Sequence, residues 1–202
     1  MLGSARHICA FFRSTDEEYR VLLPFIKEGF ERGERAFHVV DPELREDHVR
    51  RLESVGIAAE AARRGGQLEL RNWADAYLRD GHFDQEQMLA LVQGALETGR
   101  QLGFPLTRLV AHMEWALEDR PGVDDLVEYE TRLNYFLPRY DDPVICEYDL
   151  AKFGADVVVD ILRTHPMVII GGILQENPFF VPPETFLREL RGRDSAAARS
   201  RA

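Results

Sequence analysis

Four stretches of this chain carry residue types that do chemistry. His7 and Cys9 stand two residues apart in HICAFF, and His112 and Glu114 two apart in HMEW. Cys146 sits in VICEYD, ahead of Tyr148 and Asp149, and Glu130 sits in VEYETRLN. Residues two apart on a strand share a face. Imidazole with thiol, or imidazole with carboxylate, is the donor chemistry of a zinc or thiol redox centre. Packing competes with that reading. Buried free cysteine behaves as a small hydrophobe, and His7 opens its strand, roughly 15 Å from the far end at about 3.3 Å per residue. The expectation is therefore no metal and no cofactor, with His7 and Cys9 chiefly packing. His7, Cys9, Glu130 and Cys146 stay as candidates for sensing. Glu130 falls within the apolar stripe Val123, Leu126, Leu133 and Leu137, where a carboxylate must be paired. Asn134 or an arginine is the expected partner.

Absent motifs narrow the chemistry. Only two lysines occur, Lys27 and Lys152, and neither follows a glycine. A Walker A loop is therefore missing. No two glycines stand two apart, which excludes a dinucleotide fingerprint. None of the serines lies in Gly-x-Ser-x-Gly, and there is no Cys-x-x-Cys or His-Glu-x-x-His. The expectation is a protein that is not an enzyme.

The elements that must position these residues alternate. Strands are expected at His7 to Phe12, Ala36 to Val40, Leu68 to Asn72, Thr107 to Trp115, Val144 to Tyr148 and Met167 to Ile170. Helices are expected at Asp16 to Arg32, Pro42 to Val55, Asp84 to Leu102, Asp124 to Leu137, Ala155 to Arg163 and Pro182 to Arg191. The first shows its buried face in Tyr19, Leu22, Leu23, Ile26 and Phe30, capped by Thr15 or Asp16. His165 would end a helix, its cation favouring the dipole. Repeated β-α units imply an α/β fold: three layers, a mostly parallel sheet with helices on both faces. One domain is expected over 5–190, followed by a disordered basic tail over 191–202.

The 202 residues carry a net charge of −10, which disfavours direct nucleic-acid binding. No apolar run has the length a membrane helix needs. Two cysteines without a secretory leader point to the cytoplasm.

Ligands of open α/β sheets sit at the carboxyl ends of the strands. That edge offers Phe12, Arg13, Asp41, Glu114, Trp115, Tyr148 and Asp149, an aromatic wall with several acids and one arginine, suited to a small ligand. Glu114 also stands where a Walker B acid would.

In order along the chain, HICAFF with STDEEY, LLPFIKEGFERGE, FHVVD, YLRDGHFD, HMEW, VEYETRLN, PVICEYD and THPMVIIGGILQENPFFVPPETFLREL resemble the MEDS family, the methanogen/methylotroph DcmR sensory domain. The resemblance spans about residues 5 to 190. It implies a RecA-like core that has lost its phosphate loop, and a sensory module for hydrocarbon-derived small molecules. Partners would be a histidine kinase, an anti-sigma factor or a transcription regulator, and a homodimer is compatible with it. Two alternatives stand beside it: a RecA-like nucleotide-binding protein or ATPase with divergent loops, and a metal or thiol redox sensor using His7, Cys9 and Cys146.

Overall fold

The structure, a computed structural model, describes residues 6–200, with side chains described as far as 193. Seven strands form one sheet: β1 (His7–Phe12), β2 (Arg35–Val40), β3 (Leu68–Asn72), β4 (Thr107–His112), β5 (Val144–Asp149), β6 (Met167–Ile170) and β7 (Ile173–Glu176). Their order is β3-β2-β4-β5-β1-β6-β7. All neighbours are parallel except β6 and β7. The helices are α1 (Thr15–Glu31), α2 (Arg45–Ser54), α3 (Ala59–Arg64), α4 (Trp73–Ala76), α5 (Gln85–Gln101), α6 (Leu126–Leu133), α7 (Ala155–Thr164) and α8 (Pro183–Ser200).

Strands β1, β2 and β4 bury every residue. Parallel strands covered on both faces must do so, and for this reason they read as continuous apolar runs. The pleat then divides them between two cores. Cys9, Phe11, Leu109, Ala111, Cys146 and Tyr148 face one way, toward side chains of α5, α6 and α7. Ile8, Ala10, Phe12, Val110 and Ile145 face the other, toward α1, α2 and α3.

Several elements end differently from expectation. β4 stops at His112, because Met113 (φ −101, ψ 6) leaves the extended region and Glu114–Leu117 coil into a 3₁₀ turn. Glu114 therefore follows a turn and not the strand pleat. The helix expected at Asp124 to Leu137 is broken: α6 ends at Leu133, where Asn134 Nδ2 donates to the Glu130 and Thr131 carbonyls. Gly171 (φ 59) and Gly172 (φ 77) form the two-residue turn of a hairpin that adds β7, a strand the sequence reading omits. The α1 cap is Ser14, which accepts from Glu17 N at 3.3 Å, and not Thr15 or Asp16. α8 runs past Arg191 to Ser200. The stretch expected as a disordered tail is thus helical over 191–200, in keeping with the helix propensity of Ala196 to Ala198. The last two residues of that expectation lie outside the described residues.

Candidate functional site

Two clusters of ionisable side chains lie on opposite faces of the sheet. The first is at the carboxyl edge. Register pairs His112 with Glu147 across β4 and β5, and both turn toward α1. His112 Nε2 lies 3.2 Å from Glu18 Oε1 and 3.0 Å from Glu147 Oε2. The Asp41 backbone N–H donates to His112 Nδ1 at 3.3 Å, so the ring proton sits on Nε2, between the two carboxylates. Burial, then Glu18, push the Glu147 carboxyl up to about 7. Burial also raises Glu114, whose Oε1 is 3.7 Å from Lys152 Nζ. Glu114 Oε2 is buried without a hydrogen bond, and Glu147 Oε2 is buried with no partner besides the His112 ring.

These groups line a cavity with Phe12, Ser14, Thr15, Leu44, Tyr148 and Asp149, and its volume is about 10 Å³. That holds about one water molecule. The β1–α1 junction above it is satisfied from within the chain. Glu17 N–H donates to Ser14 Oγ, and Arg13 N–H donates to Glu17 Oε2 at 2.9 Å. In a phosphate loop such N–H groups point at the ligand. Here the Ser14 hydroxyl and the Glu17 carboxylate occupy the place, and a phosphate would meet like charge.

Of the seven expected edge residues, Phe12, Glu114, Tyr148 and Asp149 line this cavity. Arg13 is exposed beside it, and Asp41 joins through its backbone. Trp115 does not reach it. The ring is fully buried in the opposite core, 4.6 Å from Tyr77 and 4.3 Å from Phe83 between ring centroids. The 3₁₀ turn after His112 carries it there, so the aromatic wall expected at the strand ends keeps Phe12 and Tyr148 and loses its tryptophan. Tyr148 also sends its hydroxyl to the far face. Glu18 and Glu147 were missed. The register partner of His112 and the first turn of α1 were the signals that could have found them.

The second cluster lies in the opposite core, at the amino end of β1. Glu130, on α6, is fully buried. Its Oε2 is 3.1 Å from His7 Nε2, 3.3 Å from His165 Nε2 and 3.6 Å from Cys146 Sγ, and its Oε1 accepts from Tyr148 Oη at 3.0 Å. The His7 and His165 rings lie 3.9 Å apart. Burial, reinforced by His165, lowers His7 to about 4. Burial alone would raise Glu130, but His165 and His7 beside it outweigh burial and hold the carboxyl at about 2. Burial raises both cysteine thiols.

This cluster bears on three expectations. His7 does not merely pack. The Glu130 carboxylate is partnered by histidines and a tyrosine, not an arginine, and Asn134 meets its backbone. His165 ends α7, as expected, and is also a fully buried member of the cluster. Cys9 stays outside it, donating to the Met167 carbonyl at 3.7 Å. His165 was missed because it follows α7 and reaches the cluster only through the α7–β6 connection, a placement no local spacing reveals.

Comparison with known proteins bears on this geometry. Residues 6–166 match the family described as MEDS, the methanogen/methylotroph DcmR sensory domain. The transcriptional repressor DcmR of Methylorubrum extorquens is similar at 26% identity over 160 residues, 79% of this chain and 57% of the repressor. The chain thus spans little more than half of that relative's length. The crystal structure of a KaiC-like protein from Pyrococcus horikoshii aligns with a TM-score of 0.55 at 14% identity, covering 82% of this chain and 69% of that one. At that identity the likeness carries the fold alone: a RecA-like, mostly parallel α/β frame. Among the described residues no helix is long and apolar enough to cross a membrane.

Proposed function

Because the chain belongs to the MEDS family of sensory domains, we propose that it is a non-enzymatic, ligand-sensing regulatory module. It takes a small uncharged molecule, of the kind derived from simple hydrocarbons, at the carboxyl edge of its sheet. It passes the signal to a partner, a transcription regulator or kinase, in a reducing cytoplasmic setting that suits two free buried thiols.

The observation that supports this most is the β1–α1 junction. Its N–H groups are spent on Ser14 and Glu17, and Glu18, Glu114 and Glu147 face the space beneath. An anionic nucleotide is repelled there, which weighs against the ATPase alternative. A cavity of about 10 Å³ also admits no organic ligand without opening. Binding must therefore separate the first turn of α1, carrying Glu18, from His112. A ligand moves that equilibrium only by the difference in its affinity for the open and closed states. α1 lies across the core on the cavity's own side of the sheet as far as Ile26, so displacement of its first turn gives a partner something to read.

Thermal-shift measurements with small alcohols and halocarbons, repeated on Phe12→Ala and Glu114→Gln, test the reading. Stabilisation by one of these compounds, weakened in both variants, is expected. Indifference to all of them, with stabilisation by Mg-ATP, would overturn it.

A further inference from the structure

The hydrogen-bond network around Glu130 fixes where the ring protons of its two histidines sit. Asn134 Nδ2 faces three carbonyls, of Glu130 and Thr131 at 3.2 Å and Thr164 at 2.8 Å. Reversing the amide would set oxygen against all three. Asn134 Oδ1 therefore faces His7 Nδ1, at 3.2 Å, and that nitrogen carries the proton. Thr164 Oγ1 donates to the Ile161 carbonyl at 2.8 Å, so His165 Nδ1 meets two acceptors, Thr164 Oγ1 at 2.7 Å and Ile161 O at 3.0 Å. Its Nδ1 is also the protonated one. As neutral rings, both histidines then aim Nε2 lone pairs at the same carboxylate oxygen, Glu130 Oε2. His165 Nε2 is fully buried and has no partner besides that carboxylate oxygen. Lone pairs converging on an anion in a dry core need a cation between them.

We infer that His7, Glu130, Cys146 and His165 form a closed four-ligand centre for a divalent transition metal, zinc by preference. The four donor atoms all lie within 4.8 Å of one another. Metal–ligand lengths of about 2.0–2.1 Å for nitrogen and oxygen and about 2.3 Å for sulfur set tetrahedral neighbours about 3.3 Å apart, or about 3.5 Å for pairs with sulfur. The observed separations are 3.1 and 3.3 Å for the two histidines to Glu130, and 3.6 and 3.7 Å for Cys146 to Glu130 and His7. Charge closes as well: a dication balances one carboxylate and one thiolate, leaving a neutral buried centre. The surrounding hydrogen bonds are those a metal site uses to orient its ligands. Asn134 and the Ile161 carbonyl hold the two imidazoles, and Tyr148 Oη holds the other carboxylate oxygen.

No ligand position is open to solvent, so the centre is structural: it ties β1, β5 and the α7–β6 connection to α6. It does not depend on the strand-edge reading. A metal-loaded protein indifferent to small molecules would fail only the proposed function, and a responsive protein without metal only this inference.

The full chain, purified without chelators, is assayed for metal by mass spectrometry and titrated with Co²⁺ after removal of bound metal. About one equivalent of metal per chain is expected, with a thiolate-to-cobalt charge-transfer band. Cys146→Ser loses the band and Cys9→Ser keeps it. A wild type that contains no metal and shows no such band with Co²⁺ overturns the inference, as does a band lost in Cys9→Ser but kept in Cys146→Ser. Should Cys146→Ser fail to fold, the wild type decides through its melting temperature. A drop with a strong chelator, reversed by Zn²⁺, supports the centre, and no change refutes it.

Discussion

Tyr148 and Glu130 meet at 3.0 Å, the hydroxyl of a strand residue donating to a helix carboxylate. Both side chains are out of reach of water. The contact fastens β5 to α6 at the point where a buried charge is most exposed to loss of partners. Tyr148→Phe should cost about 1–3 kcal/mol by leaving an acceptor short of its donor. Glu130→Ala should cost about 3–5 kcal/mol by dissolving the whole cluster. Urea midpoints at unchanged slope report both, and a neutral Tyr148→Phe would show that the hydroxyl is not engaged.

Trp115 stacks against both Tyr77 and Phe83 with no exposed surface. Trp115→Ala should therefore cost about 3–5 kcal/mol, as a cavity in a packed core does. Trp73, the second tryptophan, is half-buried and serves as the internal comparison. In Trp73→Phe the remaining emission should be blue-shifted and resist acrylamide, and ready quenching would contradict the placement.

Gly122 supports that same aromatic group. Its φ is +86, and an added Cβ would meet the Phe83 carbonyl oxygen at 2.2 Å. Gly122→Ala should destabilise by more than about 1 kcal/mol, combining left-handed strain with a backbone clash. Equal thermal stability of the variant and the parent would refute this.

His38 supplies a pH dependence. Its Nδ1 is 2.9 Å from His48 Nε2, its Nε2 has no partner, and burial followed by His112 lowers it to about 3. The unfolded chain, near 6.5, binds this proton more readily than the folded one. Stability is therefore complete above pH 6.5 and falls as pH drops toward 3, by up to about 1.4 kcal/mol for each pH unit. Denaturant titrations across that window should show the fall, and His38→Gln should flatten part of it. A profile unchanged by His38→Gln would mean that other groups set the acid limb.

Much of the fold was legible because its signals are local. Short runs apolar at their centres, such as HICAFF and TRLVAH, read as covered strands, and the stripe Tyr19, Leu22, Ile26 reads as a helix face. The candidate sites were legible as residue types but not as groupings. His7 and Cys9 share a face, yet His7 finds Glu130, 123 residues away, while Cys9 turns to a carbonyl. His112 and Glu114 were read as one strand face, yet a single change of ψ at Met113 ends the strand between them. Trp115 was lost to the edge by the same turn. Which helix covers which face, and with what register, is set by tertiary packing that spacing along the chain does not encode.

The central claim is that a RecA-like frame has exchanged phosphate binding for small-molecule sensing at an acidic strand edge. Isothermal titration of one preparation with Mg-ATP and, separately, with small alcohols and halocarbons tests it most directly. No heat is expected from Mg-ATP, and saturable binding of an uncharged compound, weakened in Phe12→Ala, is expected. Saturable Mg-ATP binding that disappears in Glu114→Gln would contradict it.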